Sequence, residues 1–227
     1  MPPNIATLAA GLPAALAGLD GELVVALNGI SADVAGVPAA ARTVELAVNR
    51  GVAPGWNAAA RAASGGVLVF ANDDVVLGPG SLARLVDALD GRPDAGVVGP
   101  LGALWDLAAP AHRHWVDGAA LSAGELERCD AVSGFLMAVR REVYERAGGF
   151  DERFAPCSCE EIDFCAAVRL DLGLDCFVVG GVEHDHEFHI STAPPWRRLE
   201  HNGRRETLWR IHRRNVRAFR RKWAGRV

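Results

Sequence analysis

The sequence predicts an α/β domain in which helices flank a mixed, mostly parallel sheet. Short apolar runs of strand length alternate with helical stretches. These runs are rich in Val and Leu without polar alternation, which is typical of parallel strands covered on both faces. At 227 residues, half of them hydrophobic, the chain can bury one sizeable core, so we expect a single domain. The predicted strands are residues 22–27, 43–48, 66–71, 95–99 and 175–179.

Helices are predicted between these strands from their start and stop signals. The helix 81–89 begins after Gly80 and ends at Gly91, and the helix 141–147 ends at a Gly-Gly pair. Residues 100–124 lose all periodicity and are predicted to form a long irregular loop. The following residues, 129–139, are predicted to be a strand. The predicted helices are residues 56–63, 81–89, 141–147, 160–172 and 204–223.

The composition favours a soluble, cytoplasmic protein. No segment approaches the run of about 20 apolar residues that a bilayer crossing needs. The N-terminus lacks the charged start and dense apolar block of a signal peptide. The five cysteines are odd in number and irregularly spaced, which argues against a disulfide framework and favours reduced thiols.

The C-terminal end is strongly basic. Residues 197–227 carry twelve Arg or Lys against two Glu, a balance of +10, whereas the rest of the chain sums to −14. We therefore expect a main domain over 1–203 and a basic amphipathic helix over 204–227 that meets an anionic partner, such as acidic lipid at the inner face of the cell membrane. The alternative is a helix packed back on the acidic body. No nucleic-acid partner is expected, because the acidic body would repel it.

Acidic residues follow the end of one predicted strand. Asn72, Asp73 and Asp74 come directly after the strand 66–71. Ligands of open α/β sheets collect at the carboxyl ends of strands. Mg²⁺ typically takes one or two carboxylates together with the phosphates of a substrate. The stretch therefore indicates a metal site, and a simple Asn/Asp turn is the alternative.

A second acidic group begins a predicted helix. Glu160, Glu161 and Asp163 lie in its first turn, where the helix dipole favours carboxylates even without a function. The preceding Gly148 and Gly149 permit a sharp reversal that few other residues could make. This approach favours a functional interpretation of the acidic turn.

Histidines cluster after the last predicted strand. His184, His186 and His189 lie close together in a segment predicted to be extended, where imidazole can ligate a metal. Unliganded surface histidines are the alternative. With Cys157 and Cys159 they could instead bind zinc, but the spacing fits no familiar zinc pattern.

These segments resemble the inverting family-2 glycosyltransferases of the GT-A fold, and within them the bacterial rhamnosyltransferase-like group, over nearly the whole chain. Residues 49–57 are similar to the family's Asn-x-Gly stretch before the metal strand, and residues 70–75 to its Asp-x-Asp motif. The most specific match is the glycine turn at 148–152 followed by the acidic residues 160–163.

The resemblance implies a role for each of these residues. Glu161 is the implied catalytic base, and Asp74 with His186 is the implied binding site for Mn²⁺ or Mg²⁺, with His184 as the alternative histidine. The residues implied to bind the nucleotide sugar are Asn28, Asn49, Gly51, Asn57, Asn72 and Asp73. The residues implied to bind donor and acceptor are Ser133, Gly134, Phe135, Glu160 and His184.

The resemblance also implies partners. The donor would be a dTDP- or UDP-sugar, with rhamnose as the first candidate, and the acceptor a glycan or lipid-linked hydroxyl in cell-envelope synthesis. The family opens with a nucleotide-binding strand, whereas this sequence begins with the helix that should follow it, so we expect the first strand to be missing. The open sheet edge would invite a second copy, and a homodimer is therefore an alternative to a monomer.

Two other function classes stay open. A glycosyltransferase-like protein without turnover would bind sugar or partners and would show no metal-dependent nucleotide binding. A metal-dependent phosphohydrolase that uses Asp73, Asp74 and the histidines would release phosphate without an acceptor. The sequence offers no evident nucleophile for that reaction.

Overall fold

The computed structural model describes residues 4–108, 110–186 and 193–226. The helices of these ranges are α1 (Ile5–Leu16), α2 (Ala32–Ala35), α3 (Val52–Ala62), α4 (Ser81–Asp90), α5 (Arg141–Arg146), α6 (Glu160–Leu172) and α7 (Leu208–Trp223). The strands are β1 (Val24–Asn28), β2 (Arg42–Leu46), β3 (Val67–Ala71), β4 (Val75–Leu77), β5 (Ala95–Gly99), β6 (Leu101–Asp106), β7 (Ala111–Asp117), β8 (Leu126–Cys129), β9 (Ala131–Val132), β10 (Leu136–Arg140), β11 (Asp175–Val179), β12 (His184–His186), β13 (Arg198–His201) and β14 (Arg204–Thr207).

The central sheet has five strands in the order β3-β10-β5-β11-β8. β5 and β11 pair in parallel, and β3 runs in the same direction because β10 is antiparallel to both β3 and β5. β8 is antiparallel to β11, and β1 and β2 form a separate parallel pair. The predicted mixed α/β fold is confirmed, and the strands 95–99 and 175–179 have the predicted bounds.

Alternate residues of the central strands pack on opposite faces of the sheet. Val97 lies in the core cluster that contains α6, whereas its neighbour Val98 lies in the cluster that contains α4. Gly96 permits the close approach of α6, because a Cβ atom at this position would lie 2.3 Å from the Val168 side chain. Helices therefore cover both faces, which explains the apolar runs of the sequence.

The irregular loop predicted for residues 100–124 is wrong. β6 and β7 form an antiparallel hairpin there, and β6 also pairs with β9 through Gly102 and Ala103. The sequence shows no apolar periodicity over this hairpin, because residues 111–115 are all exposed and mostly polar. The single strand predicted for 129–139 is also wrong: it is divided into β8, β9 and β10, with residues 133–135 between the last two.

The C-terminal helix begins later than predicted. Residues 204–207 pair with 198–201 in a hairpin whose turn, Asn202–Gly203, has positive φ at both positions. α7 then packs back on the body through Ile211, Phe219 and Trp223, all nearly inaccessible to solvent. The inner face of α7 therefore matches the alternative of a helix packed on the body. The domain boundary between residues 203 and 204 stays a prediction. Within the described ranges, no helix combines the length and hydrophobicity of a bilayer crossing.

Asn57 of α3 joins three elements through one buried amide. Its Nδ2 donates to the Phe150 carbonyl at 2.8 Å, and its Oδ1 accepts from the Phe150 amide at 3.0 Å and from the Tyr144 hydroxyl at 2.7 Å. Gly149 fits beside this network in a left-handed conformation (φ 70°), and a Cβ atom there would lie 2.9 Å from the Tyr144 hydroxyl oxygen. The Gly-Gly turn is thereby fixed against α3.

We expect Asn57→Ala to lower the free energy of unfolding by roughly 2 to 4 kcal/mol, because it leaves buried backbone and hydroxyl groups without partners. Arg61→Ala, an exposed change on the same helix, is the control and should have little effect. Urea denaturation measures both. Equal stability of the two variants would contradict a structural role for the amide.

Candidate active site

The antiparallel strand β10 brings one short segment across the carboxyl end of β3. Residues 133–135 precede β10. The backbone N–H of Asn72, which follows β3, donates to the Phe135 carbonyl at 2.9 Å. Because β10 runs opposite to its neighbours, its start lies where β3 ends. The segment Ser133–Gly134–Phe135, hereafter the bridging segment, therefore lies beside the acidic turn 72–74.

His186 reaches this turn from a distant part of the sequence. β12 pairs antiparallel with β4, in a register that puts His186 opposite Val75. The His186 Nε2 lies 3.2 Å from Asp74 Oδ1 and 3.4 Å from the side-chain Nδ2 of Asn72. The side chains of His186 and Asp74 are 6% and 17% exposed. One carboxylate and one imidazole thus meet at the carboxyl end of β3.

This pair fits a divalent cation that shares its coordination with a phosphate ligand. Oxygen and imidazole donors suit Mn²⁺, and Mg²⁺ usually keeps several positions for water or substrate phosphates. Among the described residues, no three His, Cys, Asp or Glu side chains come together to hold a metal by themselves. With the described residues alone, Asp74 and His186 would share such an ion with oxygen ligands from a bound diphosphate or from water.

The Phe135 ring contacts two histidines of the cluster, His184 and His186. His186 stacks on it at 4.4 Å between centroids and 9° between planes, and the His184 ring lies at 5.2 Å. The His184 Nδ1 donates to the Val182 carbonyl at 2.9 Å when that nitrogen is protonated. The contact with Asp74 favours His186 over His184 as the metal ligand, and this assignment stays a prediction. His189 lies outside the described residues.

The acidic helix start lies at the other end of the bridging segment. A Cβ atom at Gly134 would lie 3.5 Å from Glu161 Cβ and 3.1 Å from the Trp56 ring. The Trp56 ring is the close neighbour of Gly134, whereas Glu161 lies at an ordinary packing distance from it. Glu161 thus touches one residue of the segment, while His186 stacks on the next. Asp74, through His186, and Glu161 are therefore both neighbours of the bridging segment.

At this helix start Glu160 is buried, and Glu161 beside it is half-buried. Burial and the neighbouring Glu161 charge raise the pKa of Glu160 well above its ordinary value, and burial raises the pKa of Glu161. Among the described residues, one buried carboxylate oxygen of Glu160 has no hydrogen-bond partner. Carboxyl groups with raised pKa values in a cleft are typical of acid–base sites.

The loop that leads into α6 is held by the last helix. The Asn215 side-chain amide donates to the carbonyls of Phe154, Cys157 and Ser158 at 2.5 to 3.0 Å. Arg214 Nη2 donates to the Ala155 carbonyl at 2.7 Å. Ser158 and Cys159 have φ values of 83° and 75°, which non-glycine residues seldom adopt. Nothing in the sequence indicated this contact between the last helix and the loop.

The other predicted nucleotide-binding residues lie in a second network. The side-chain amide of Asn28 donates to the Gly51 carbonyl at 2.9 Å and accepts from the backbone N–H of Arg50 at 2.8 Å. The side-chain oxygen of Asn49 accepts from the backbone N–H of Gly51 at 2.9 Å. Gly51 touches the loop before α6, since a Cβ atom there would lie 2.4 Å from Pro156 Cα. Their role in nucleotide binding stays a prediction, as do those of Asn57 and the exposed Asp73.

The cysteines are buried as thiols. All five are free and buried. Burial raises the pKa of both Cys157 and Cys159 to about 12, so these thiols stay protonated at neutral pH. Zinc binds the thiolate form. The burial also agrees with the expected reduced state.

Comparison with protein families finds a partial match. The family model described as "Glycosyl transferase family 2" matches residues 38–147, just under half of the chain. The matched range contains the acidic turn and the bridging segment and ends before Glu161. A search of curated proteins finds no match.

Comparison with solved structures establishes the GT-A fold. GalNAc-T7 with UDP, GalNAc and Mn²⁺ is 14% identical, with a TM-score of 0.61 over 79% of this chain and 41% of that one. The mannosyltransferase PcManGT from Pyrobaculum calidifontis, in complex with GDP-Man and Mn²⁺, is 20% identical, with a TM-score of 0.54 over 80% of this chain and 53% of that one. The chain thus spans about half or less of these enzymes, and the likeness concerns the fold alone.

We expect Glu160→Gln to raise the melting temperature at pH 7, because it removes a buried negative charge. The folded chain holds the Glu160 proton to a higher pH than the unfolded chain does, so stability falls as pH rises above the ordinary value of 4.5. The gain should therefore disappear near pH 4, where wild-type Glu160 is protonated in both states. Thermal denaturation at the two pH values measures it, with the exposed Glu127→Gln as the control. A variant less stable than wild type at pH 7 would refute a costly burial.

Proposed function

We propose that this protein transfers a sugar from a nucleoside-diphosphate sugar to an acceptor hydroxyl, with inversion at the anomeric carbon. The observation that carries the proposal is the arrangement around the bridging segment. The Asp74–His186 pair lies against one residue of it, and Glu161 lies against the next. The GT-A fold and the family match over residues 38–147 support the same reaction class.

Glu161 is proposed as the general base. An acceptor hydroxyl is a weak nucleophile until a carboxylate within hydrogen-bond reach takes its proton. The raised pKa makes the Glu161 carboxylate a stronger proton acceptor than an ordinary Glu. The proton leaves the acceptor oxygen as that oxygen attacks the anomeric carbon, and it ends on Glu161. Inversion requires attack from the face opposite the leaving group, so base and diphosphate must lie on opposite sides of the sugar.

Asp74 and His186 are proposed to bind the metal ion, Mn²⁺ or Mg²⁺. The bound ion would supply positive charge to the diphosphate as that group gains negative charge. Stacking of His186 on Phe135 keeps the imidazole oriented, and its Nε2 must be unprotonated to act as a ligand. Asn72 and Asp73 share the same turn and are proposed to contact the donor.

The donor is proposed to be a dTDP- or UDP-sugar, with rhamnose as the first candidate, and the acceptor a glycan or lipid-linked hydroxyl of the cell envelope. This part rests on the family resemblance of the sequence. We further propose that the protein works in the cytoplasm at the inner face of the membrane. A homodimer stays the alternative to a monomer.

The outer face of α7 supports peripheral membrane contact. It presents an arginine-rich surface next to Trp209, which is 55% exposed, and the nearby Trp196 is 74% exposed. The Trp209 amide donates to the Pro195 carbonyl at 2.9 Å, so both rings lie at the same end of the helix. Arginines with adjacent tryptophans suit the headgroup region of an anionic bilayer. The arginines of this surface are Arg210, Arg213, Arg214, Arg217, Arg220 and Arg221.

We expect Glu161→Gln to lower the transfer rate by about 10²- to 10⁴-fold, because the acceptor hydroxyl loses its base. Asp74→Asn should weaken Mn²⁺ binding. Release of nucleoside diphosphate from a panel of nucleotide sugars measures turnover, and calorimetry with Mn²⁺ and nucleotide measures binding. In the wild type, the acid limb of the pH–rate profile should lie above the ordinary Glu pKa of 4.5, since Glu161 works deprotonated.

Glu127→Gln, exposed on β8, serves as the control and should keep wild-type turnover. Wild-type rates in folded Glu161→Gln and Asp74→Asn would refute the assignment. Nucleotide binding that is indifferent to Mn²⁺ would favour the inert sugar-binding protein instead. Phosphate release without an acceptor sugar product would favour the hydrolase.

We expect replacement of Arg210, Arg213 and Arg217 by Ser to reduce binding to vesicles with anionic lipid by about tenfold or more at low salt, because each basic residue near the surface contributes about 1 kcal/mol. These positions leave the buried face of α7 unchanged. Sedimentation with phosphatidylglycerol vesicles measures it, and neutral phosphatidylcholine vesicles are the control. Equal binding of wild type and triple variant would exclude this surface as the contact.

A further inference from the structure

The hairpin β6–β7 carries a row of aromatic rings. The Trp105 and His112 rings meet edge to face at 5.6 Å between centroids, and His112 and Trp115 lie 4.4 Å apart. Trp115 is 52% exposed, and Trp105 is half-buried against the core. These three rings, hereafter the aromatic hairpin face, belong to a segment with no role in the function proposed so far.

A local irregularity puts the three rings on one face. The register shifts between Leu104 and Trp105, so that Leu104 pairs with His114 and Trp105 with His112. Arg113 is therefore an extra residue on β7. Without this bulge, His112 would point to the opposite face from Trp115. Trp115 itself lies opposite Ala103, whose small side chain leaves space beside the ring.

Polar contacts hold the hairpin in place. The Trp105 amide donates to Asp130 Oδ2 at 2.8 Å, and Arg169 pairs with Asp130 Oδ1 at 2.7 Å. Across the strands, Arg113 pairs with Asp106 at 2.9 Å. β6 is also bonded to β9, which leads directly into the bridging segment. The rings are thus presented by a fixed element rather than by a free loop.

The aromatic hairpin face opens onto the proposed base. One small cavity is lined by Trp105 and Trp115 from the hairpin and by Ser133 and Glu161 from the site. Glu161 touches Gly134 from this side, whereas the Asp74–His186 pair belongs to the turn on the far side of Phe135. A molecule lying on the rings would therefore have a hydroxyl within reach of Glu161.

We propose that the aromatic hairpin face binds a pyranose ring of the acceptor glycan, and this rests on the transfer reaction proposed above. The C–H face of a pyranose can stack on exposed indole and imidazole rings, while its hydroxyls bond to Ser133 and Glu161. Charge separates the two substrates. The anionic diphosphate of the donor is repelled by the acidic helix start and matches the metal side, whereas a neutral sugar ring matches the hairpin side.

Fluorine NMR of protein labelled with 5-fluorotryptophan tests this. A panel of methyl pyranosides is added, with the Trp115 signal assigned from Trp115→Phe. At least one sugar should shift the Trp115 signal saturably. Binding of that sugar, followed through the Trp105 signal, should weaken about tenfold in Trp115→Ala and less in Trp115→Phe, because only the latter keeps an aromatic face. Trp209→Ala, exposed on α7, is the matched control and should bind as wild type does.

Donor chemistry separates this inference from the function it rests on. Hydrolysis of a nucleotide sugar by the wild type with Mn²⁺ and no acceptor measures the donor chemistry alone. If the wild type consumes donor but no pyranoside affects the hairpin signals, the acceptor site is overturned and the reaction class stands. If no donor is consumed but a pyranoside binds at Trp115, the transfer function fails and the surface is a plain sugar-binding site. Shifts that appear only as the protein concentration rises would mark contact with a second copy and overturn the proposal.

Discussion

The direction of β10 is the constraint on which the site depends. This strand is inserted antiparallel between β3 and β5, so the residues before it must cross the carboxyl end of β3. The crossing residues are too close to their neighbours for bulk at Gly134, and they offer Phe135 as a stacking surface for His186. The same three residues contact the helix start at 160–161 and, through Phe135, the pair formed by Asp74 and His186, which come from before and after that helix in the sequence.

The start of α6 is energetically unfavourable, and contacts from the rest of the fold offset its cost in free energy. Glu160 is buried beside the half-buried Glu161, and the two residues before α6 adopt left-handed backbone conformations. Asn215 compensates by bonding three carbonyls of that loop from a helix more than 50 residues later. Sites of this kind commonly trade stability for reactivity. The polar contacts around the loop are best understood as the support of an unfavourable local arrangement.

The sequence was most informative where packing alone decides the structure. Residues 95–99, 160–172 and 175–179 have the predicted bounds because their apolar side chains face the core on each side. The hairpin β6–β7 was missed because its outer strand is exposed and polar and its register is interrupted by a bulge. The family resemblance implied ligand binding for Asn57, which stays a prediction, whereas the bonds of its side-chain amide to Phe150 and Tyr144 were not foreseen. An Asn in a motif does not reveal whether its partner is a ligand or the backbone.

The two faces of α7 differ in what the protein would lose if this helix were removed. Its outer face is basic and exposed, whereas its inner face buries Phe219 and Trp223 in the main core and carries Asn215. A protein shortened before residue 208 would therefore lose part of its interior as well as its charge. Proteolysis or engineering that removes the tail would inactivate the molecule by unfolding it, whether or not any surface contact matters. The basic end of this chain is part of the interior of the domain, so its outward arginines can be tested by substitution but not by removal of the helix.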